Sequence, residues 1–406
     1  MVSKNLCLVT GTIALLSLLS ACGGGSGASP APAAPSSPIG SALSENAQLG
    51  ELIFKDGSLS ASGTQSCATC HDPAHAHGPS NNLSAQFGGA NGDVQGFRAV
   101  PSLRYLNQTP AFFFAADGTP TGGFDRDGRA NSLAEQGERP FLAPHEMANA
   151  SKQDVVDKLK KAAYVERFRA RFGAAILDDA DQAFSRMTLA LQAFQLEAPE
   201  FHPFDSKYDQ FLAGKVKLSD QELRGLALFN APNKGNCIAC HLSARNADGT
   251  PPLFTDFTFD NLGVPRNTRL KATADPSYFD LGLCGPDRTD GLASTRPDLC
   301  GAFKVPTLRN VATRQVFFHN GAFDNLKDVV SFYARRDTNP EEWYPLGADG
   351  TVQKFNDLPP QYRKNVNTTE VPYNRQPGMA PALSPSEIDD IVSFLGTLTD
   401  GYKINP

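Results

Sequence analysis

A surplus of positive charge is missing from this chain. Lys and Arg number 37 against 43 Asp and Glu, a net of -6 at pH 7. Nucleic acid is therefore not an expected partner, because phosphate binding needs a basic surface. A comfortable membrane span is missing as well: the apolar run from Leu8 to Leu19 is too short for one. Convincing strand patterns are few, which points away from a sheet-built fold. Tryptophan occurs once, as Trp343, and methionine only four times. Glycine (35) and proline (30) are plentiful, so long loops are expected. A hydrophobic fraction of 40% suffices for real cores, and 406 residues allow a targeting segment and about two domains.

The N-terminus reads as an address. Lys4 gives a positive start, the apolar run follows, and Leu19-Ser20-Ala21-Cys22 is similar to a bacterial lipobox. On that reading residues 1–21 are a lipoprotein signal peptide and Cys22 is lipidated; the alternative is an ordinary signal cut near Ala21. Gly23 after the cysteine, by resemblance to Gram-negative lipoproteins, places the anchor in the outer membrane and the body in the periplasm. Residues 22–42 are small, polar and rich in Pro and Gly, a flexible tether. The eight cysteines then sort themselves. Cys7 leaves with the signal, and Cys67, Cys70, Cys237 and Cys240 form two C-x-x-C pairs. Cys284 and Cys300 share one loop-like stretch; in an oxidising compartment they form a disulfide, or else remain two free thiols.

Periodic sequence begins near Leu43, and a weak duplication runs through it. Leu49-Gly-Glu-Leu-Ile-Phe54 precedes the first C-x-x-C-H, and Arg224-Gly-Leu-Ala-Leu-Phe229 precedes the second. Val100-Pro-Ser-Leu-Arg104 follows the first, and Val305-Pro-Thr-Leu-Arg309 the second. Two related domains follow, 43–205 and 206–406. Ser219-Asp-Gln-Glu222 and Ser384-Pro-Ser-Glu387 are capping boxes that open helices. Asp154 to Phe172 and Ala180 to Glu197 carry helical periodicity, while 73–99, 243–303 and 335–383 read as loops.

Cys67-Ala-Thr-Cys70-His71 and Cys237-Ile-Ala-Cys240-His241 have the chemistry of haem c attachment. Two thiols at i and i+3 reach the two vinyl groups of one haem, and the next residue, His, lies beneath the iron. A four-cysteine zinc site and a thioredoxin-like redox pair are the rivals, and neither requires a His after each pair. Long loops also fit, since a haem gives them an apolar face to wrap. Only Met147, Met187 and Met379 remain as candidate methionine ligands, and they are scattered.

Larger patterns resemble the bacterial dihaem cytochrome c peroxidase/MauG superfamily across nearly all of 45–400. They are Ser66-Cys-Ala-Thr-Cys-His-Asp-Pro73, Phe124-Asp-Arg-Asp-Gly-Arg129, Leu133-Ala-Glu-Gln136 and Pro144-His-Glu-Met147. In the second half they are Asn261-Leu-Gly-Val-Pro265, Phe303-Lys-Val-Pro-Thr-Leu-Arg-Asn-Val-Ala312 and Phe318-His-Asn-Gly321. The resemblance implies a mainly α fold of two cytochrome c-like haem domains with long loops. It implies two haem c groups, and a calcium ion in many members. Hydrogen peroxide would be reduced to water at the N-terminal haem through high-valent iron, with Glu146 as acid/base and Gln136 orienting the peroxide. Pro140 would restrict the same pocket. The second haem would store or relay oxidising equivalents, fed by a small redox protein or by a protein substrate.

Two positions depart from the peroxidase pattern. Where the peroxidases carry a ligating Met, fourteen residues after the His of the H-[DN]-G turn, this chain has Tyr333. MauG-type enzymes have Tyr there, so His241 and Tyr333 are expected to be the axial pair of the second haem, with His71 on the first. Leu326, Val329, Val330 and Tyr333 fall on one helical face. Where the family usually has a Trp between the haems stands Arg126, suited to a haem propionate. The competing non-enzymatic reading is a dihaem electron-transfer cytochrome without peroxidase activity.

Overall fold

The computed structural model describes residues 42–404. The signal, Cys22 and nearly all of the tether lie outside the described residues, while residues 42–406 group as one compact unit. No helix among the described residues is long and apolar enough to cross a membrane.

Among the described residues, eleven α-helices and short 3-10 turns carry the fold. In chain order they are α1 (Glu45–Lys55), α2 (Cys67–Cys70), α3 (Leu133–Leu142), α4 (Lys152–Leu159), α5 (Val165–Phe172) and α6 (Ala180–Glu197). Then come α7 (Lys207–Leu212), α8 (Asp220–Asn230), α9 (Leu292–Thr295), α10 (Leu326–Arg335) and α11 (Pro385–Gly396). Among the described residues, sheet is confined to three two-stranded ladders of two residues per strand: β1 (Phe87–Gly88) with β2 (Val94–Gln95), β3 (Phe113–Phe114) with β4 (Pro120–Thr121), and β5 (Phe259–Asp260) with β6 (Phe303–Lys304). Ser219 and Ser384 cap α8 and α11 through reciprocal boxes with Glu222 and Glu387. The one periodic run expected over 154–172 is instead two helices. The chain turns at Lys160–Tyr164, where the Tyr164 hydroxyl donates to Asp56 Oδ2 at 2.8 Å beyond the end of α1. Periodicity reports a buried face and is blind to such a bend.

Two apolar clusters account for most of the buried hydrophobic side chains. One is built from α1, α3, α4, α5 and α6, the other from α8, α10, α11 and the loops around them. The duplication in the sequence is visible in their centres. A Cβ on Gly50 would lie 2.0 Å from Ala190 O, and one on Gly225 would lie 2.0 Å from Asp390 O, so α1 crosses α6 and α8 crosses α11 backbone to backbone. Phe54 meets Phe194 edge-on at 5.6 Å, and Phe229 meets Phe394 at 5.2 Å. Gly225→Ala forces the two helices apart and is expected to lower stability by about 1–3 kcal/mol, the usual cost of overpacking. Thermal denaturation of the haem-loaded protein checks it; an unchanged Tm contradicts the close crossing.

Candidate functional site

The first motif is one helical turn. Ser66 caps α2, and His71 N donates to Cys67 O at 2.9 Å, which sets the ring just past the turn. His71 Nδ1 lies 3.2 Å from His77 O, and His241 Nδ1 lies 2.7 Å from Phe254 O. A backbone carbonyl thus fixes each ring through one nitrogen and leaves Nε2 for a metal, the usual arrangement of a ligating His. Burial lowers the pKa of both, His71 to about 4, so each is a neutral donor. None of the four motif cysteines is in a disulfide. Burial pushes Cys67 and Cys237 up to about 12, and Cys70 to about 11. Such thiols are the reverse of a redox-active C-x-x-C, which needs a lowered thiol pKa. A shared zinc site is also ruled out by placement: no group of three or more His, Cys, Asp or Glu side chains among the described residues could hold a metal by itself. The calcium expectation likewise finds no acidic cage there.

One cavity of about 320 Å³ opens on the second motif and extends to residues of the first half of the chain. Cys237, Cys240, His241 and Tyr333 line it at one end, and Pro101, Leu103, Gln136 and Arg126 at the other. Leu326, Val329 and Val330 line it together with Tyr333, so the apolar face of α10 faces the cavity. The Tyr333 ring lies 5.9 Å from that of Tyr373. Burial, then Asp260 and the motif cysteines, holds the Tyr333 hydroxyl well above its ordinary pKa, against Arg336. A phenol so placed gives up its proton only to a strong positive charge, which a metal ion supplies.

Glu146 follows α3 on the tight turn 143–149. Asn149 pins that turn by donating to Leu59 O at 2.9 Å and Phe141 O at 2.8 Å. Gly89 N donates to Glu146 O at 2.8 Å, and a Cβ on Gly88 would come within 2.6 Å of the same oxygen, so the β1–β2 hairpin presses directly on this turn. Oε2 of Glu146 is buried with no hydrogen-bond partner. Its charge is felt at both Cys67 and Cys70, which places it beside the first motif. Burial raises its pKa to about 7, aided by Asp125 and Asp287 and opposed by Arg129. Those neighbours belong to an ion-pair lattice that ties the two halves together. Arg98 bridges Asp127 at 2.7 Å and Asp280 at 2.6 Å, and Arg129 bridges Asp127 at 2.9 Å and Asp287 at 3.3 Å. Gln136 lies on α3 one turn before Pro140, faces the cavity, and has no side-chain hydrogen bond among the described residues.

The donor set fits a covalently held haem at each motif. Each offers two thiols beside an oriented imidazole, the cavity opens on the second, and an orphaned carboxylate oxygen lies next to the first. Among the lining residues Arg314, on the loop after the 3-10 turn 311–313, carried no sequence signal, because a single residue on an irregular loop has no period that could mark it. Lys304, at the end of β6, lines the cavity as well, and His319 stacks on Phe303 at 3.8 Å with no hydrogen bond to its buried Nε2. Cys284 and Cys300, their Cα atoms 5.0 Å apart, form a disulfide that closes the loop carrying Asp287.

A model of the di-haem cytochrome c peroxidase family matches residues 44–217. The methylamine utilization protein MauG of Paracoccus denitrificans is 36% identical over 87% of this chain and 88% of its own. The cytochrome c551 peroxidase of Pseudomonas aeruginosa is 30% identical, with 72% of each chain covered. The solved structure of the diheme peroxidase BthA from Burkholderia thailandensis superposes with a TM-score of 0.81 at 40% identity, covering 87% of this chain and 86% of that one. With these relatives and its two C-x-x-C-H motifs, the chain belongs to the MauG-like dihaem cytochrome c peroxidase superfamily, whose members carry two haem c groups.

Proposed function

We propose that the protein reduces hydrogen peroxide to water at the first motif, H2O2 + 2 H⁺ + 2 e⁻ → 2 H2O, and that the second site stores or relays the oxidising equivalents. When bound, the two haem c groups supply the irons at which the O–O bond is cleaved and on which oxidising equivalents are held. Cys67 and Cys70 would attach one, with His71 as its ligand; Cys237 and Cys240 would attach the other, between His241 and Tyr333. Glu146 takes the proton from the inner peroxide oxygen and returns it to the outer one, so that water can leave. The Gln136 amide holds the peroxide by hydrogen bonds while this happens.

The observation that carries this reading is the buried, partnerless Oε2 of Glu146 beside Cys67 and Cys70. A pKa of about 7 suits a group that must accept and then donate a proton at neutral pH. The test is stoichiometric: peroxide is added to the dihaem protein with a small one-electron donor. Two donors oxidised per peroxide support the reading. Peroxide that persists beside oxidisable haem favours an electron-transfer cytochrome instead.

Tyr333 favours a protein side chain over a small redox protein as the source of electrons. A phenolate is a hard anionic donor that stabilises oxidised iron and lowers its potential relative to Met. Tyr333→Met is therefore expected to move the midpoint potential of the second haem positive in spectroelectrochemical titration. A potential that does not move would remove Tyr333 from the ligand set. The N-terminal pattern supports export, lipidation at Cys22 and a periplasmic body anchored to the outer membrane, which metabolic labelling with a tritiated fatty acid would test against Cys22→Ser.

A further inference from the structure

Most buried arginines near the cavity are matched to carboxylates. Arg98 has Asp127 and Asp280, Arg104 has Asp400, and Arg309 has Asp209. Arg126 and Arg314 are not. Both line the cavity, and neither has a carboxylate within 4.0 Å among the described residues, only carbonyls. Arg126 Nε donates to Ala99 O at 2.8 Å; Arg314 Nη2 donates to the next carbonyl, Val100 O, at 2.9 Å, and its Nε to Val316 O at 3.3 Å. Neighbouring carbonyls of one segment thus hold both guanidinium groups, near enough that the charge of Arg314 is felt at Arg126. Burial lowers Arg126 to about 9, with Arg314 and Arg98 adding to the effect and Asp280 opposing it, while burial alone lowers Arg314 to about 10.

The chain crosses over at this point. Arg314 comes from the second half yet reaches the first site: its charge is felt at His71, and its Nη1 lies 3.7 Å from where a Cβ on Gly78 would be. Arg126 comes from the first half, and its carbonyl accepts from Lys304 N of the second at 2.8 Å. Two neighbouring cations turned into a low-dielectric cavity call for anions, because a buried charge is tolerated only when it is paired. Each haem brings two propionate carboxylates, and a guanidinium pairs with a carboxylate in a planar two-point bond.

We infer that Arg126 and Arg314 form a dicationic seat for haem propionates at the junction of the two sites, each half of the chain supplying a counter-charge across it, and that this seat sets the potentials of both haems. The inference rests on the two haem c groups and not on the role of Glu146. Fixed positive charge near an iron favours its reduced form, so removing the charge lowers the potential.

The experiment compares Arg126→Gln, Arg314→Gln and the two Lys variants, each checked by mass for two attached haems. Two properties are read: the midpoint potential of each haem, and the resonance Raman bands of propionate bending. In the Gln variants the potentials are expected to shift negative and the propionate bands to move, with Lys restoring most of both. Fully loaded Gln variants with unchanged potentials and bands overturn the proposal. If a Gln variant fails to acquire haem, the Lys variant decides: recovered loading with near-native potentials supports a charge role, and failure of Lys as well overturns it. Peroxide turnover is measured separately, so a failure of the Glu146 assignment would leave these readouts standing.

Discussion

Glu146→Gln is expected to reduce peroxide turnover by about 10²–10⁴-fold, the range that a positioned general acid–base contributes. The amide has nearly the shape of the carboxylate, so the turn pinned by Asn149 and pressed by Gly88 stays in place. What is lost is the ability to accept the first proton. Haem content and the ferric spectrum of the second site should not change, because Glu146 supplies neither an attachment thiol nor an iron ligand. Removing an ionisable group that burial has raised to about 7 also removes a destabilised charge, so thermal stability should hold or rise slightly. Turnover within a few-fold of the parent would show that the proton travels by another route.

Asp209→Ala is expected to cost about 3–5 kcal/mol of stability, the penalty for stripping one partner from a buried ion pair. Asp209 accepts two hydrogen bonds from Arg309, each at 2.9 Å, with both side chains almost fully buried. Arg309 closes the V-P-T-L-R segment, so the pair ties α7 to the wall of the second site. Burial alone would raise the Asp209 pKa, but hydrogen bonds from Arg309 and Ser206 hold it below its ordinary value. A depressed carboxylate contributes its stability above the unfolded-state pKa and loses it as pH falls through the folded one. The variant should therefore differ most from the parent at neutral pH and least in acid. Denaturant unfolding at both pH values measures this; a difference that does not shrink in acid contradicts the assignment.

The sequence was most informative where chemistry and periodicity coincide. The capping boxes at Ser219 and Ser384 and α6 over Ala180–Glu197 follow from local rules and match the structure. The repeat of Leu49–Phe54 in Arg224–Phe229 was read only as a duplication; in the structure it lies at two similar helix crossings, where Gly50 and Gly225 each sit where backbones touch. Local rules did not reach the bend at Lys160–Tyr164, which depends on a long-range bond to Asp56. Nor did they reach Arg314, which meets the cavity from an irregular loop. Glu146 was assigned by resemblance alone; its buried, orphaned Oε2 and the neighbours that raise its pKa are tertiary facts.

The most direct test of the proposed chemistry is a stopped-flow pH profile of the reaction with peroxide, run on the parent and on Glu146→Gln. Glu146 must begin as the carboxylate, so the parent rate should rise with pH through about 7 and then level, as the group titrates. The variant should be slow and lack that inflection. The same inflection in both proteins, or a flat profile in the parent, would contradict Glu146 as the proton carrier.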